Sequence, residues 1–269
     1  MSRRSRRKKT TNNNLPIAII ALVVMLLCVF VYQYTKAVQR TIKTDKITNC
    51  RSDGFLPRDT VILIDATEAV SEAQFEDLSG QLEVIIHDST IYERFTIYFL
   101  RDEPDRFQPK LTVCNPGTGE NLSAATNNLR KLMKTWKESF EAPLKDSIDG
   151  LDEVTPSTSS PIMEMIKYVG LRTFARSKSP DKRLILISDM VEHTDSYSQY
   201  RNRNFNFDSL AKAPYFREMR PRLNEVTIKL LYLWRPSLSE IQGSEHVDKF
   251  WRPFVRRSVG QTNTVEYIN

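Results

Sequence analysis

Histidine is scarce in this chain: three occur in 269 residues, His87, His193 and His246. None stands at zinc-ligand spacing from a cysteine or a second histidine, which excludes a sequence-evident zinc centre. A phosphate-cradling loop is also missing. Asn115-Pro-Gly-Thr-Gly119 lacks the Gly-Lys-Ser/Thr ending that such a loop needs. No Gly-x-Ser-x-Gly turn is present to raise a nucleophilic serine. There is no internal repeat and no low-complexity segment. No small-molecule cofactor is evident.

Charge of one sign is missing from the first nine residues, Met-Ser-Arg-Arg-Ser-Arg-Arg-Lys-Lys, which hold six cations and no acid. The whole chain carries 39 Lys+Arg against 33 Asp+Glu, a formal net charge of +6. The tail supplies that excess, so the remainder is formally neutral. A nucleic-acid partner is therefore not expected.

Leu15 to Tyr32 is eighteen residues without a charge. As a helix it rises about 27 Å, close to the thickness of a bilayer's hydrocarbon core. Tyr32 and Tyr34 stand where interfacial aromatics stand, and the heavier cationic flank lies before the run. The positive-inside rule then places the N-terminus in the cytoplasm of a cell bounded by an inner or plasma membrane, and the rest in the periplasm or outside. The alternative is a cleaved signal peptide, disfavoured by the length of the run and by the poor small-x-small site after Tyr34. The expected organisation is a basic tail over 1–14, a transmembrane signal anchor over 15–34, a stalk over 35–57 and one α/β domain over 58–269. The apolar run has no Gly-x-x-x-Gly dimerisation pattern.

Of three cysteines, Cys28 falls in the apolar run as a filler. Cys50 and Cys114 fall in the exported part, where an oxidising compartment favours a disulfide over two buried thiols. Such a bridge closes a loop of roughly 60 residues, worth ~4 kcal/mol on the chain-entropy model.

Within the domain, Thr60-Val-Ile-Leu-Ile-Asp65 and Arg183-Leu-Ile-Leu-Ile-Ser-Asp189 read as strands buried on both faces. Further strands are expected at 94–100, 110–114, 225–233 and 264–268. Ser71-Glu-Ala-Gln74 is a capping box that opens a helix carrying Phe75, Leu78, Leu82 and Ile85. Helices are also expected over 122–141, ended or kinked by Pro143, and after Ser160-Pro161, with Ser160 as N-cap. Two more cover 209–223, interrupted by prolines, and the region of Val247 to Val255. Strands alternating with amphipathic helices specify a doubly wound, mainly parallel sheet with helices on both faces. Ligands gather at the carboxyl ends of such strands, which singles out Asp65 and Asp189.

A carboxylate at the end of a buried strand needs a partner, a hydrogen bond or a metal. Thr67 and the Ser159-Ser160 turn can add hydroxyl oxygens, and oxygen donors suit Mg²⁺, Mn²⁺ or Ca²⁺. The arrangement over 58–268 resembles a von Willebrand factor A domain. That family's metal-ion-dependent adhesion site uses Asp-x-Ser-x-Ser after the first strand, a loop Thr and a later Asp. The resemblance makes Asp65, Thr67, Ser160 and Asp189 the metal-ligand set. It departs from the pattern at Ala69, which stands where the second motif Ser would be, so the site is degenerate. The alternative is that these groups only cap helices and satisfy loop N–H groups. His193, just behind Asp189, belongs to the same rim or to a solvated loop.

Between Met190 and Asp208 aromatic and arginine side chains interleave. Tyr197, Tyr200, Arg201, Arg203, Phe205 and Phe207 are the residue types favoured at contact hot spots; a long loop packing its own aromatics is the other reading. The leading expectation is a membrane-anchored, non-enzymatic module that binds a protein partner at the strand-end rim, with or without a divalent cation. A metal-dependent hydrolase using the same aspartates is the alternative, weakened by the lack of an evident base or nucleophile. A structural scaffold of an envelope complex is the third.

Overall fold

The computed structural model describes residues 14–39, 42–101, 107–119, 128–201, 206–258 and 261–268. The chain divides into two units, Met1–Lys43 and Thr44–Asn269. The first holds one helix, α1, Asn14–Gln39. Its large apolar side chains from Ile19 to Tyr32 lie exposed wherever they are described. Among the described residues no helix is long and apolar enough to cross a membrane.

The second unit is built on β1 (Arg58–Asp65), whose alternate residues bury both ways. Val61 and Leu63 join one apolar cluster, and Ile62 and Ile64 join the other. A strand buried on both faces has no polar side to offer, hence its unbroken Val-Ile-Leu-Ile run. Five more strands complete the sheet: β2 (Arg94–Leu100), β3 (Leu111–Cys114), β4 (Asp181–Ser188), β5 (Val226–Leu233) and β6 (Gln261–Ile268). Their spatial order is β3-β2-β1-β4-β5-β6, with β3 antiparallel to β2 and the other pairs parallel. This is a doubly wound sheet that reverses its winding between β1 and β4. Helix α2 (Glu72–His87) covers the Ile62 face, held at its start by the Ser71/Gln74 capping box. The helix Ile162–Arg172 covers the Val61 face.

Two helical expectations are modified by proline. Helix α3 (Leu129–Trp136) passes into a π-helical turn over Lys137–Glu141 and then an α-turn, Ala142–Lys145, that contains Pro143. Widening the turn ahead of Pro143 lets the chain run on past a residue with no N–H. The part of the expected helix over 122–127 lies outside the described residues. The expected 209–223 helix is two short ones, Phe207–Lys212 and Pro214–Met219, separated where Ala213 turns extended ahead of Pro214.

At the amino ends of the strands, two acids are fully buried. Asp59 takes both nitrogens of the Arg94 fork at 3.0 and 2.6 Å. Glu93 accepts from Thr60 at 2.6 Å and Arg183 at 3.1 Å, with Arg58 at 3.4 Å. These pairs tie β1, β2 and β4 together and fix their register.

The compact unit begins at Thr44, ahead of β1. Residues 44–51 form a small turn closed by a Thr44–Arg51 bridge, and the Cys114 N–H donates to Thr48 O at 2.7 Å. Cys50 and Cys114 form a disulfide across 64 residues of chain. Replacing both by serine should lower the unfolding free energy by about 4 kcal/mol. Urea titration checks this, with a fall in the midpoint and a steeper slope, because the unbridged unfolded chain exposes more surface.

Candidate functional site

Asp65 closes β1 with its side chain 5% exposed, next to the end of β4. Four donors converge on its carboxylate. Oδ1 accepts the Thr67 hydroxyl at 2.6 Å and the Thr67 N–H at 3.1 Å. Oδ2 accepts the Ser188 hydroxyl at 2.7 Å and the Ser160 hydroxyl at 3.4 Å. Three of the four expected site residues are thus joined in one cluster, together with Ser188. That serine was legible as the neighbour of Asp189, but its role depends on pairing β4 beside β1.

Asp189 lies one residue further on, 6% exposed. Its Oδ1 accepts the Val191 N–H at 2.8 Å, and its backbone carbonyl accepts Gln242 Nε2 at 3.0 Å. Burial pushes its carboxyl well above the ordinary range, and the charge of Asp65 pushes the same way; the Val191 N–H and Arg235 oppose them. Arg235 follows β5 and grips the loop after β1. Its guanidinium donates to Ala69 O at 2.5 Å and Glu68 O at 3.4 Å.

A divalent cation would have two carboxylates, from Asp65 and Asp189, and the hydroxyls of Thr67 and Ser160. Mg²⁺ asks for six oxygen ligands and Ca²⁺ for six to eight. Ala69 leaves a methyl group where the resemblance calls for a fifth protein ligand. The fixed positive charge of Arg235 lies against the loop after β1 and would oppose a cation there. With Ala69 in that place, water would have to complete the shell of any ion held here.

The segment after Asp189 is hung on buried groups. Met190 takes a left-handed backbone, φ 60°, and its N–H donates to Ser188 Oγ at 2.8 Å. Ser160 and His193 exchange backbone hydrogen bonds at 2.7 and 3.0 Å. Glu192 is fully buried. Its Oε2 accepts the Met163 N–H at 2.9 Å and its Oε1 the Tyr215 hydroxyl at 2.7 Å. The N-cap of the Ile162–Arg172 helix is Pro161, with no side-chain cap of its own. Ser160, expected to cap it, turns to Asp65 instead, and the Glu192 carboxylate serves the helix start. Burial pushes the Glu192 carboxyl up to about 8. Gln199 completes the anchor by accepting the Glu192 N–H at 2.9 Å.

The aromatic and arginine residues of this stretch separate by environment. Phe207 is a core residue and not a surface contact: it packs edge-on against Phe216, Phe250 and Phe254, because the short helix it opens turns it inward. Tyr197 stacks against Tyr215 and Phe250. Tyr200 is 38% exposed and stands edge-on to His193. Burial raises its hydroxyl to about 12, and the charges of Asp189, Glu68 and Asp65 add to the effect. Arg201 is exposed and holds the carbonyls of Thr194 and Asp195. Arg203 and Phe205 lie outside the described residues.

No protein-family model matches the chain, and no curated protein matches it. Among solved structures it is similar to a von Willebrand factor type A protein from Catenulispora acidiphila, at 13% identity and a TM-score of 0.39. That match covers 80% of this chain and 39% of the other.

Two outcomes follow from this geometry. Asp65→Ala strands three hydroxyl groups and an N–H in the interior, and should destabilise the protein by about 3 kcal/mol, against about 1 for Thr67→Val, in urea unfolding. Glu192 titrates above its ordinary 4.5 in the fold, so the fold holds this proton more tightly than the unfolded chain does. Its stabilising contribution is complete below about pH 4.5 and is lost as pH rises through about 8. Glu192→Gln should therefore show a shallower decline in stability over that window, measured by urea midpoints at each pH.

Proposed function

We propose that this chain is a membrane-tethered, non-enzymatic interaction module that receives a protein partner at the carboxyl-end rim of its sheet. The observation that carries the proposal is the exposed Tyr200 ring set edge-on to His193, whose backbone pairs with Ser160 of the Asp65 cluster, on a segment anchored by buried Glu192 and Gln199. An exposed tyrosine presented by a fixed backbone supplies contact area at low entropic cost. The rim lies at the switch point of a doubly wound sheet, where such folds place their ligands. Tyr200 and Arg201 are the contact residues. Asp65, Thr67, Ser160 and Asp189 hold the rim's shape, and no divalent cation is required for capture.

The tether is the apolar helix. The uncharged run of 15–32 behind a six-cation tail supports a single pass with the N-terminus in the cytoplasm and the folded unit in the periplasm or outside the cell. An oxidising compartment also suits the Cys50–Cys114 disulfide.

A photo-crosslinking amino acid placed at position 200 or 201 of the full chain, in intact membranes, should yield a discrete protein adduct. One placed at Val84 on α2, which is 63% exposed against 38% for Tyr200, should not. Adducts should persist in EDTA. Equal labelling from Val84 and Tyr200, or none from Tyr200, refutes the rim; loss of adduct in EDTA refutes cation-independent capture.

A further inference from the structure

Glu83 and His87 stand one turn apart on α2, the spacing that sets two side chains on the same helix face. Both side chains are more than half exposed. The π-turn ahead of Pro143 ends on Glu141, whose Oε1 stands 3.6 Å from His87 Nε2. Glu83 Oε1 stands 3.9 Å from the same nitrogen. Among the described residues, Glu83, His87 and Glu141 thus bring three metal-capable atoms within 4.8 Å of one another. Trp136 packs against the imidazole, with ring centroids 5.3 Å apart. His87 closes α2 and the chain goes on to β2, parallel to β1, so the cluster lies at the amino ends of the strands, away from the rim.

The same two oxygens already draw a cation from within the chain. Lys145 Nζ lies 3.3 Å from Glu83 Oε1 and 3.5 Å from Glu141 Oε1. Two carboxylate charges balance one dication in full, whereas the single ammonium balances half of them. Exposed ion pairs of this kind hold weakly, and the lysine stem is flexible, so a more strongly bound cation can displace it.

Ligands about 2.1 Å from a tetrahedral zinc stand about 3.4 Å from each other. The two separations from Nε2 exceed that by about 0.2 and 0.5 Å, which small rotations of exposed side chains can close. One imidazole nitrogen with two carboxylate oxygens is a donor mixture that suits Zn²⁺, while Mg²⁺ and Ca²⁺ ask for oxygen throughout. We propose that Glu83, His87 and Glu141 form a three-ligand Zn²⁺ site with water in the open position. The ion displaces Lys145 and clasps the end of α2 to the segment over 137–145. The site depends neither on the rim nor on a partner.

Equilibrium dialysis of the tag-free full chain in detergent micelles against Zn²⁺ provides the test, with Mg²⁺ in excess to fill any all-oxygen site. The chain should retain one Zn²⁺ that His87→Gln and Glu141→Gln each lose. Lys145→Gln should tighten binding by about threefold, the scale of an exposed ion pair removed from competition. Zn²⁺ should also raise the urea midpoint of the unaltered chain and leave that of His87→Gln in place. Urea midpoints without Zn²⁺ check that each variant is folded. No retained Zn²⁺, retention by folded His87→Gln or Glu141→Gln, or release of the ion by Mg²⁺ overturns the site. Binding that Lys145→Gln leaves unchanged or weakens overturns the displacement of the lysine.

Discussion

The order of the strand-end rim depends on satisfying one buried carboxylate. Asp65 sits at the end of an apolar strand with almost no access to water, and an unpaired charge there would cost several kcal/mol. The fold answers by bringing hydroxyls from three separate segments to it: Thr67 from its own loop, Ser160 from ahead of a helix, and Ser188 from β4. Each hydroxyl is short and carries little rotamer entropy, so the convergence is stiff. The opposite edge of the sheet solves the same problem differently. There Asp59 and Glu93 are met by arginine side chains, which neutralise charge as well as donating hydrogen bonds. One edge is charge-paired and closed. At the other, the four donors to the Asp65 carboxylate are neutral.

The polypeptide after β4 is the second element organised by buried polar groups. A long connection in a compact domain is usually loose. Here Glu192 reaches back to the start of the Ile162–Arg172 helix, Gln199 reaches back to Glu192, and Ser160 and His193 share backbone bonds. Gln242 adds a brace by donating to the carbonyls of both Asp189 and Leu233, which joins the ends of β4 and β5. The result is a rigid platform made from irregular backbone.

All six strands were readable in the sequence, because short Val/Ile/Leu runs that end in polar residues have few other destinations. Asp65 and Asp189 were readable for the same reason, as the points where those runs stop. What could not be read are partners far apart in the chain. Arg235 grips residues 68 and 69, and Glu192 serves a helix some thirty positions earlier. No local pattern encodes such a pairing. Ser160 carried a genuine helix-cap signal, but a buried carboxylate outcompetes a helix terminus that has another acceptor available. The aromatic and arginine run gave no usable period, so a core residue such as Phe207 looked the same as an exposed one such as Tyr200. The proline at 143 was seen, but the π-turn that accommodates it was not, since turn widening leaves no mark in composition.

The Cys50–Cys114 bond also determines how the folded unit bears a mechanical load. Tension applied to the chain ahead of Cys50 has two covalent routes: along residues 51–57 to β1, and across the sulfur bridge to the end of β3, whose backbone is hydrogen-bonded along β2 in antiparallel register. The bridge therefore shares with an edge ladder a pull that would otherwise fall on the central strand alone.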